Sequence, residues 1–303
     1  MRSYRYLQYD VFTDHLFGGN QLAVFLDGRG LSAETMQAVA KEMNFSETTF
    51  VLPAEVAGTD ARVRIFTPAE ELPMAGHPTI GTTFALARTG AIPAGRDRII
   101  LGLTIGPVPV ALTWKDDDLA FAWMTQGTPI FGEAIGDREA VARALSISPA
   151  AITGTGRPVQ IVSCGVPFLF VPLTARRAVD NARLDAPALD ALFEQTRTSA
   201  HGVFIFSSEP GADRATVYSR MFAPDLGVVE DPATGSASGP LGCYLVKHQI
   251  VTPEKAGAMI SLQGVKMGRP SYVHISIGTS DGEISTVRVG GEAVLAGEGT
   301  LYI

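Results

Sequence analysis

Four polar residues stand where their types and surroundings could do chemistry: Glu47, His77, Asp231 and Ser236. Glu47 lies in NFSETTFVLP (residues 44–53), between an amphipathic stretch and an apolar one, where a solvated carboxylate is out of place. Desolvation raises a carboxyl's proton affinity, which suits a general acid or base working near neutral pH. The same residues also suit an ordinary helix-to-strand turn in which Ser46 and Glu47 cap backbone donors. His77 follows Gly76 in MAGHPTIGT, and Ser236 follows Gly235 in VEDPATGSASG; each glycine opens a stretch that reads as a helix. Helix N-termini present unpaired N–H groups and a positive dipole end. Two such ends converging would make an anion pocket in a chain whose net charge of −7 otherwise repels anions, which points to a small carboxylate-bearing ligand. Each glycine taken alone also fits a simple relief of crowding at a helix start. His77 could give a proton, hydrogen-bond as a neutral ring or serve the helix cap. Asp231 could receive a substrate amine or hydroxyl, orient a catalytic partner, or make an ordinary Asp-Pro turn. Thr234 and Ser236 carry the same alternatives.

Absent motifs narrow the chemistry. There is no G-x-x-x-x-G-K, no G-x-G-x-x-G after a strand and no H-E-x-x-H, so nucleotide cofactors and zincin metals have no visible site. The run GSASG places Ala237 where a nucleophile elbow needs serine. His15, His201, His248 and His274 are dispersed, and the two cysteines, Cys164 and Cys243, form neither a C-x-x-C nor a Cys/His cluster. No cofactor and no metal are expected. The basic residues are scattered, so a nucleic-acid partner is not expected either. The N-terminus lacks a signal-peptide apolar run, and the longest apolar stretch, Val162 to Leu173, is broken by Gly165 and Pro167 and is too short to span a bilayer. These features predict a reduced, cytoplasmic protein without a membrane partner.

The elements that position these residues recur. Residues 61–86, ARVRIFTPAEELPMAGHPTIGTTFAL, and 215–245, ATVYSRMFAPDLGVVEDPATGSASGPLGCYL, each read as an alternating strand, an F-x-P turn, an irregular loop and a glycine-led helix. In the first strand Val63 and Ile65 oppose Arg62 and Arg64. Upstream, FGGNQLAVFL (17–26) matches SCGVPFLFVPL (163–173), and FSETTFVLP (45–53) matches SAHGVFIFS (199–207), with His201 at the repeat position of Glu47. Offsets grow from 146 at Gly19/Gly165 to 159 at Gly76/Gly235, as loop insertions would make them. Helices are predicted over Ser32 to Asn44, with Met36, Val39, Ala40 and Met43 on one face, and over Pro187 to Thr196. The chain thus divides into halves, 1–117 and 118–292, with the charged turn Lys115 to Asp118 as the boundary candidate and the chemistry expected at their seam. The 293–303 segment has no repeat partner; it either returns to pair with the first half or makes a hairpin of its own. With 46% apolar and only 18% charged residues, there is ample material for two cores.

FGGNQLAVF, NFSETTFVL, the F-x-P turn followed by MAGHPTIGT, VEDPATGSASGPL, MGRPS (267–271) and the terminal VGGEAVLAGEG together resemble the phenazine-biosynthesis isomerase (PhzF-like) family of the wider diaminopimelate epimerase and proline racemase fold. The resemblance runs from about Tyr4 to the C-terminus. It implies an α+β fold of two pseudo-twofold related domains, each a curled, mostly antiparallel sheet around a central helix. It places the family's acid/base glutamate on Glu47, its histidine on His77, its aspartate on Asp231, and its glycine and serine on Gly235 and Ser236. It also implies a substrate-side role for Asn20, a homodimer, and cofactor-independent movement of a proton between two carbons of a small cyclic amino- or hydroxy-bearing carboxylic acid. His77 and Asp231 would orient the substrate and assist the transfer as catalytic residues, and N–H groups near Gly76 and Gly235 would hold its carboxylate. Epimerases of this fold use a thiol at each helix start; here Ala75 precedes Gly76, and Pro232-Ala233-Thr234 precedes Gly235. Cys243 lies about two turns into its helix, and Cys164 matches the FGGN loop, where a substrate-side role stays open. A single-carbon epimerase working without thiols and a non-catalytic carboxylate-binding protein are the alternatives.

Overall fold

In the computed structural model, which describes residues 2–198, 200–224 and 228–303, the first elements in chain order are β1 (Ser3–Val11), β2 (Asn20–Phe25), α1 (Ala33–Met43), β3 (Glu47–Leu52), β4 (Ala61–Phe66), β5 (Glu71–Leu72), α2 (Gly76–Arg88), β6 (Arg98–Leu103), β7 (Gly106–Lys115) and β8 (Asp118–Gln126). There follow β9 (Ile130–Ile135), α3 (Arg138–Ala144), α4 (Ala150–Thr153), β10 (Val159–Ser163), β11 (Pro167–Pro172), α5 (Arg176–Asn181), α6 (Ala186–Thr196), β12 (Val203–Ser207), β13 (Val217–Ala223), β14 (Val228–Asp231) and α7 (Gly235–Lys247). The chain closes with β15 (Met259–Gln263), β16 (Ser271–Ser280), β17 (Glu283–Gly291) and β18 (Ala293–Tyr302). Two compact units result: one holds the chain to Gln126 with Arg269–Ser271 and Arg288–Ile303, the other Gly127–Gly268 and Tyr272–Val287. The fold class is α+β, as expected from the sequence.

In the first unit, β1 is flanked by β18 and β2, both antiparallel to it. The chain crosses through α1 to bring β3 parallel to β2, with Leu22 beside Glu47, and β4 then returns antiparallel. A second parallel step joins β4 to β6, and β6, β7 and β8 form an antiparallel meander. The Lys115–Asp118 turn is the tip of the β7–β8 hairpin, so the unit runs past residue 117 to Gln126. Residues 293–302 pair along the whole of β1. Every residue of α2 from Gly76 to Leu86 is buried, the signature of a helix enclosed on all sides. It touches β1, β2, β3, β8 and β18. The approach is so close at Gly81 that an added Cβ would sit 2.5 Å from Leu22 Cδ2 and 2.7 Å from Val11 Cγ2.

Local signals explain the outer layer. Ser32 caps α1 by accepting the Thr35 N–H at 3.2 Å, and Asn44 ends it in the left-handed region. The predicted face of Met36, Val39 and Ala40 packs on Phe25, Phe50 and Phe66, whose rings stack at 5.0 Å and meet edge-on at 5.7 Å.

The second unit follows the same order of pairings: β10 with β11 antiparallel, β11 with β12 parallel, β12 with β13 antiparallel and β13 with β15 parallel. Its α7 is the buried helix, with Ala237, Leu241, Tyr244 and Leu245 in the core. The short helices α3 to α5 and the amphipathic α6, capped by Asp185, cover a separate core cluster. Two parts of the repeat, Ser199 and residues 225–227, lie outside the described residues. Among the described residues no helix is long and apolar enough to cross a membrane.

Candidate functional site

Glu47 is the first residue of β3, Asn20 the first of β2 and His77 the second of α2. Parallel pairing of β2 with β3 sets the first two near one another, and strand alternation puts Glu47 on the same face as Thr49. That face meets α2: Thr49 Oγ1 and Thr82 Oγ1 are hydrogen-bonded at 2.9 Å. One turn toward the helix start, His77 Nε2 lies 3.2 Å from Glu47 Oε2. On the other side of the ring, Asn20 Nδ2 is 3.1 Å from His77 Nδ1. With the amide oriented nitrogen-inward it donates to Nδ1, and that orientation leaves the proton of a neutral ring on Nε2, the nitrogen facing Glu47.

The pair is nearly dry. The side chains of His77 and Glu47 are 3% and 13% exposed. Burial drives the His77 pKa from 6.5 down to about 3, with the Gln21 backbone opposing the shift in part. At neutral pH the imidazole is therefore uncharged beside the carboxyl group. The start of α2 receives no side-chain cap from Ala75, while Thr79 Oγ1 donates back to the Ala75 carbonyl at 2.7 Å.

In the second unit, Asp231 ends β14 and leads into α7. Its carboxylate accepts the Thr234 hydroxyl. Gln263, fully buried at the end of β15, holds this loop at three points. Its amide nitrogen donates to the Asp231 carbonyl at 2.7 Å and to Thr234 Oγ1 at 3.0 Å, and its oxygen accepts the Thr234 N–H at 3.1 Å. Gly235 and Ser236 open α7, and Ser238 Oγ donates to the Thr234 carbonyl at 2.9 Å, matching the Thr79 bond of α2. Each loop is also steadied by an arginine: Arg64 pairs with Glu71, and Arg220 with Glu230, in both cases five residues before the helix-opening glycine.

Of the residues singled out in the sequence, Asn20, Glu47, Gly76 and His77 thus come together in the first unit. Asp231, Gly235 and Ser236 come together in the second. His201, at the repeat position of Glu47, is exposed before β12. Cys164 and Cys243 lie 3.9 Å apart inside the core of the second unit, and their contact together with burial pushes the Cys164 thiol far up. Neither thiol is at a helix start. Gln263 escaped the sequence reading; its one signal is an amide ending the apolar strand MISLQ. Among the described residues no cluster of three or more His, Cys, Asp or Glu could hold a metal ion.

Two units, each winding a mixed sheet on a buried glycine-led helix, with an acid–imidazole pair at one helix start, define a class of α+β enzyme. The model of the Phenazine biosynthesis-like protein family (PhzC-PhzF) matches residues 9–299. The chain belongs to that family, and it is an isomerase. It is 37% identical over 301 residues to trans-2,3-dihydro-3-hydroxyanthranilate isomerase of Pseudomonas aeruginosa, covering 99% of this chain and 100% of the relative. It is 36% identical over 307 residues to an uncharacterized isomerase of Mesorhizobium japonicum, with full coverage of both. The crystal structure of the Bacillus anthracis phenazine biosynthesis protein of the PhzF family superposes with a TM-score of 0.88 at 25% identity, covering 100% of each chain.

Proposed function

We propose that the chain is a cofactor-independent isomerase that moves a proton between two carbons of a small, cyclic, amino- or hydroxy-bearing carboxylic acid, with Glu47 as the general acid and base. The observation that carries this reading is the 3.2 Å contact between Glu47 Oε2 and a buried, neutral His77. The Glu47 carboxylate takes a proton from one carbon, and the electron pair left behind enters the conjugated system of the substrate. The same carboxyl, its proton exchanging with solvent while it is held, then protonates a second carbon. The double bond moves, no group leaves, and nothing is oxidised or reduced. His77, kept uncharged, donates a hydrogen bond through Nε2 without competing for the proton in transit. Asp231, with Gly76, Gly235 and Ser236, is assigned to holding the substrate's polar groups. A dihydro-hydroxyanthranilate, the substrate in the name of the Pseudomonas aeruginosa relative, has the chemistry this mechanism needs.

The test is turnover in deuterated water. One solvent deuteron should enter the product at a single carbon, and Glu47→Gln should abolish that incorporation while the circular dichroism spectrum stays unchanged. Full activity in Glu47→Gln would remove Glu47 from the mechanism.

A further inference from the structure

The loop that delivers Asn20 has an unusual backbone. Phe17 adopts φ 67°, a left-handed conformation rare for an aromatic residue, and Gly19 adopts φ 61°. At Gly19 an added Cβ would lie 2.3 Å from the Val11 carbonyl oxygen, so the chain can make this bend only with glycine. Such a loop needs external support, and an ion pair between buried Asp10 and half-buried Arg269 supplies it. Asp10, 1% exposed, accepts the Phe17 N–H through Oδ2 at 2.8 Å and Arg269 Nη2 through Oδ1 at 2.5 Å. Arg269 in turn donates to the Gly18 carbonyl and, through Nε, to the Gly19 carbonyl at 2.8 Å. The Gly19 N–H completes the clamp on the Pro270 carbonyl at 3.1 Å.

The Gly19 carbonyl and the Asn20 nitrogen share one rigid peptide plane. Fixing that carbonyl therefore fixes the direction in which Asn20 leaves the loop, and Asn20 is the residue that donates to His77 Nδ1. We propose that Asp10 and Arg269 are positioning residues for the site: by holding the Gly18–Gly19 turn they aim the Asn20 amide at Nδ1 and so keep the His77 proton on Nε2, toward Glu47. The consequence for rate rests on the catalytic reading of Glu47 and His77, whereas the tautomer is a property of the protein alone.

Histidine-selective 15N labelling reads the tautomer directly, with the His77 signals identified by their loss in His77→Asn. The native protein should show a single form with Nε2 protonated and Nδ1 accepting. Arg269→Met should move both nitrogens toward the averaged shifts of an unconstrained neutral ring, Asn20→Ala should do the same, and the double variant should go no further than Asn20→Ala alone. Arg269→Lys, which keeps the charge opposite Asp10, should restore part of the native pattern. In turnover assays Arg269→Met should lower kcat by up to about 100-fold with little change in KM, as a misplacement of about 1 Å does. Native His77 signals in a folded Arg269→Met variant would overturn the proposal and leave the role of Glu47 untouched. A His77 response to Arg269→Met together with full deuterium incorporation by Glu47→Gln would do the reverse. Should Arg269→Met fail to fold, Asp10→Asn and Arg269→Lys carry the same measurement, and unchanged His77 signals in both would overturn it equally.

Discussion

His77 Nε2 faces Glu47 Oε2 across 3.2 Å, where burial holds the imidazole pKa well below its ordinary value. A histidine so placed acts as a fixed neutral dipole, which sets it apart from the titrating histidines of pH-switched sites.

The first prediction concerns pH. His77 is expected to stay neutral in the folded chain down to about 3, whereas the unfolded chain protonates it near 6.5. Between those values the unfolded state binds more protons, so the associated stability is complete above 6.5, declines as pH falls and is gone below about 3. Urea unfolding across this window should show a slope that His77→Asn removes, and an NMR titration of His77 should be flat through pH 6.5.

Moving the carboxyl is as informative as removing it. Glu47→Asp retracts the group by one methylene and breaks the 3.2 Å contact with His77. A misplacement of about 1 Å is expected to lower kcat on the order of 100-fold while substrate binding changes little. Steady-state kinetics checks this, and an unchanged kcat would mean that the distance does not matter to catalysis.

Gln263→Leu keeps the volume and removes three hydrogen bonds from the Asp231–Thr234 loop. With the Thr234 N–H and the Asp231 carbonyl left buried and without this partner, a loss of about 1–3 kcal/mol is expected. Chemical denaturation measures it. Gln263→Glu retains an acceptor for the Thr234 N–H and loses both donated bonds.

Helical Gly→Ala substitutions ordinarily gain up to about 1 kcal/mol. At Gly81 the sign should invert, because the methyl would meet Leu22 and Val11 at 2.5 and 2.7 Å, and overpacking costs about 1–3 kcal/mol. Gly242→Ala should behave alike, since its Cβ would lie 2.4 Å from Ile275 Cγ2. A lower melting temperature for both is the expected outcome.

The thiols should be silent. With Cys164 2% exposed and Cys243 fully buried, and with the Cys164 thiol pushed up, neither is expected to react with a disulfide reagent until the protein unfolds. Native-state labelling within minutes would contradict this.

Much of the scaffold was legible because its signals are local. The α1 caps at Ser32 and Asn44, the alternation of β4 and the glycine starts of α2 and α7 each lie within a few residues of what they control. The Lys115–Asp118 turn was harder, since charged polar residues suit a hairpin tip and a linker equally; only the pairing of β7 with β8 separates the two. Helices α3 to α5 have four to seven residues, too few for a period to emerge. The supports of the site were illegible for a different reason. Arg269 reaches Asp10 across 259 positions, and Gln263 reaches Thr234 across 29. Such pairings are products of topology, and no spacing rule in a single sequence announces them.

Topology also sets an order of events. The strand β1, made before the other described strands, has β18, made after them, as its neighbour along its full length. During synthesis one edge of β1 must stay without its partner until β18 has emerged, by which time both segments of the other unit, Gly127–Gly268 and Tyr272–Val287, have been made. The unit carrying Glu47 and His77 is therefore completed after the other one, and translation arrested before β18 should yield chains with an exposed edge on β1 that chaperones would recognise.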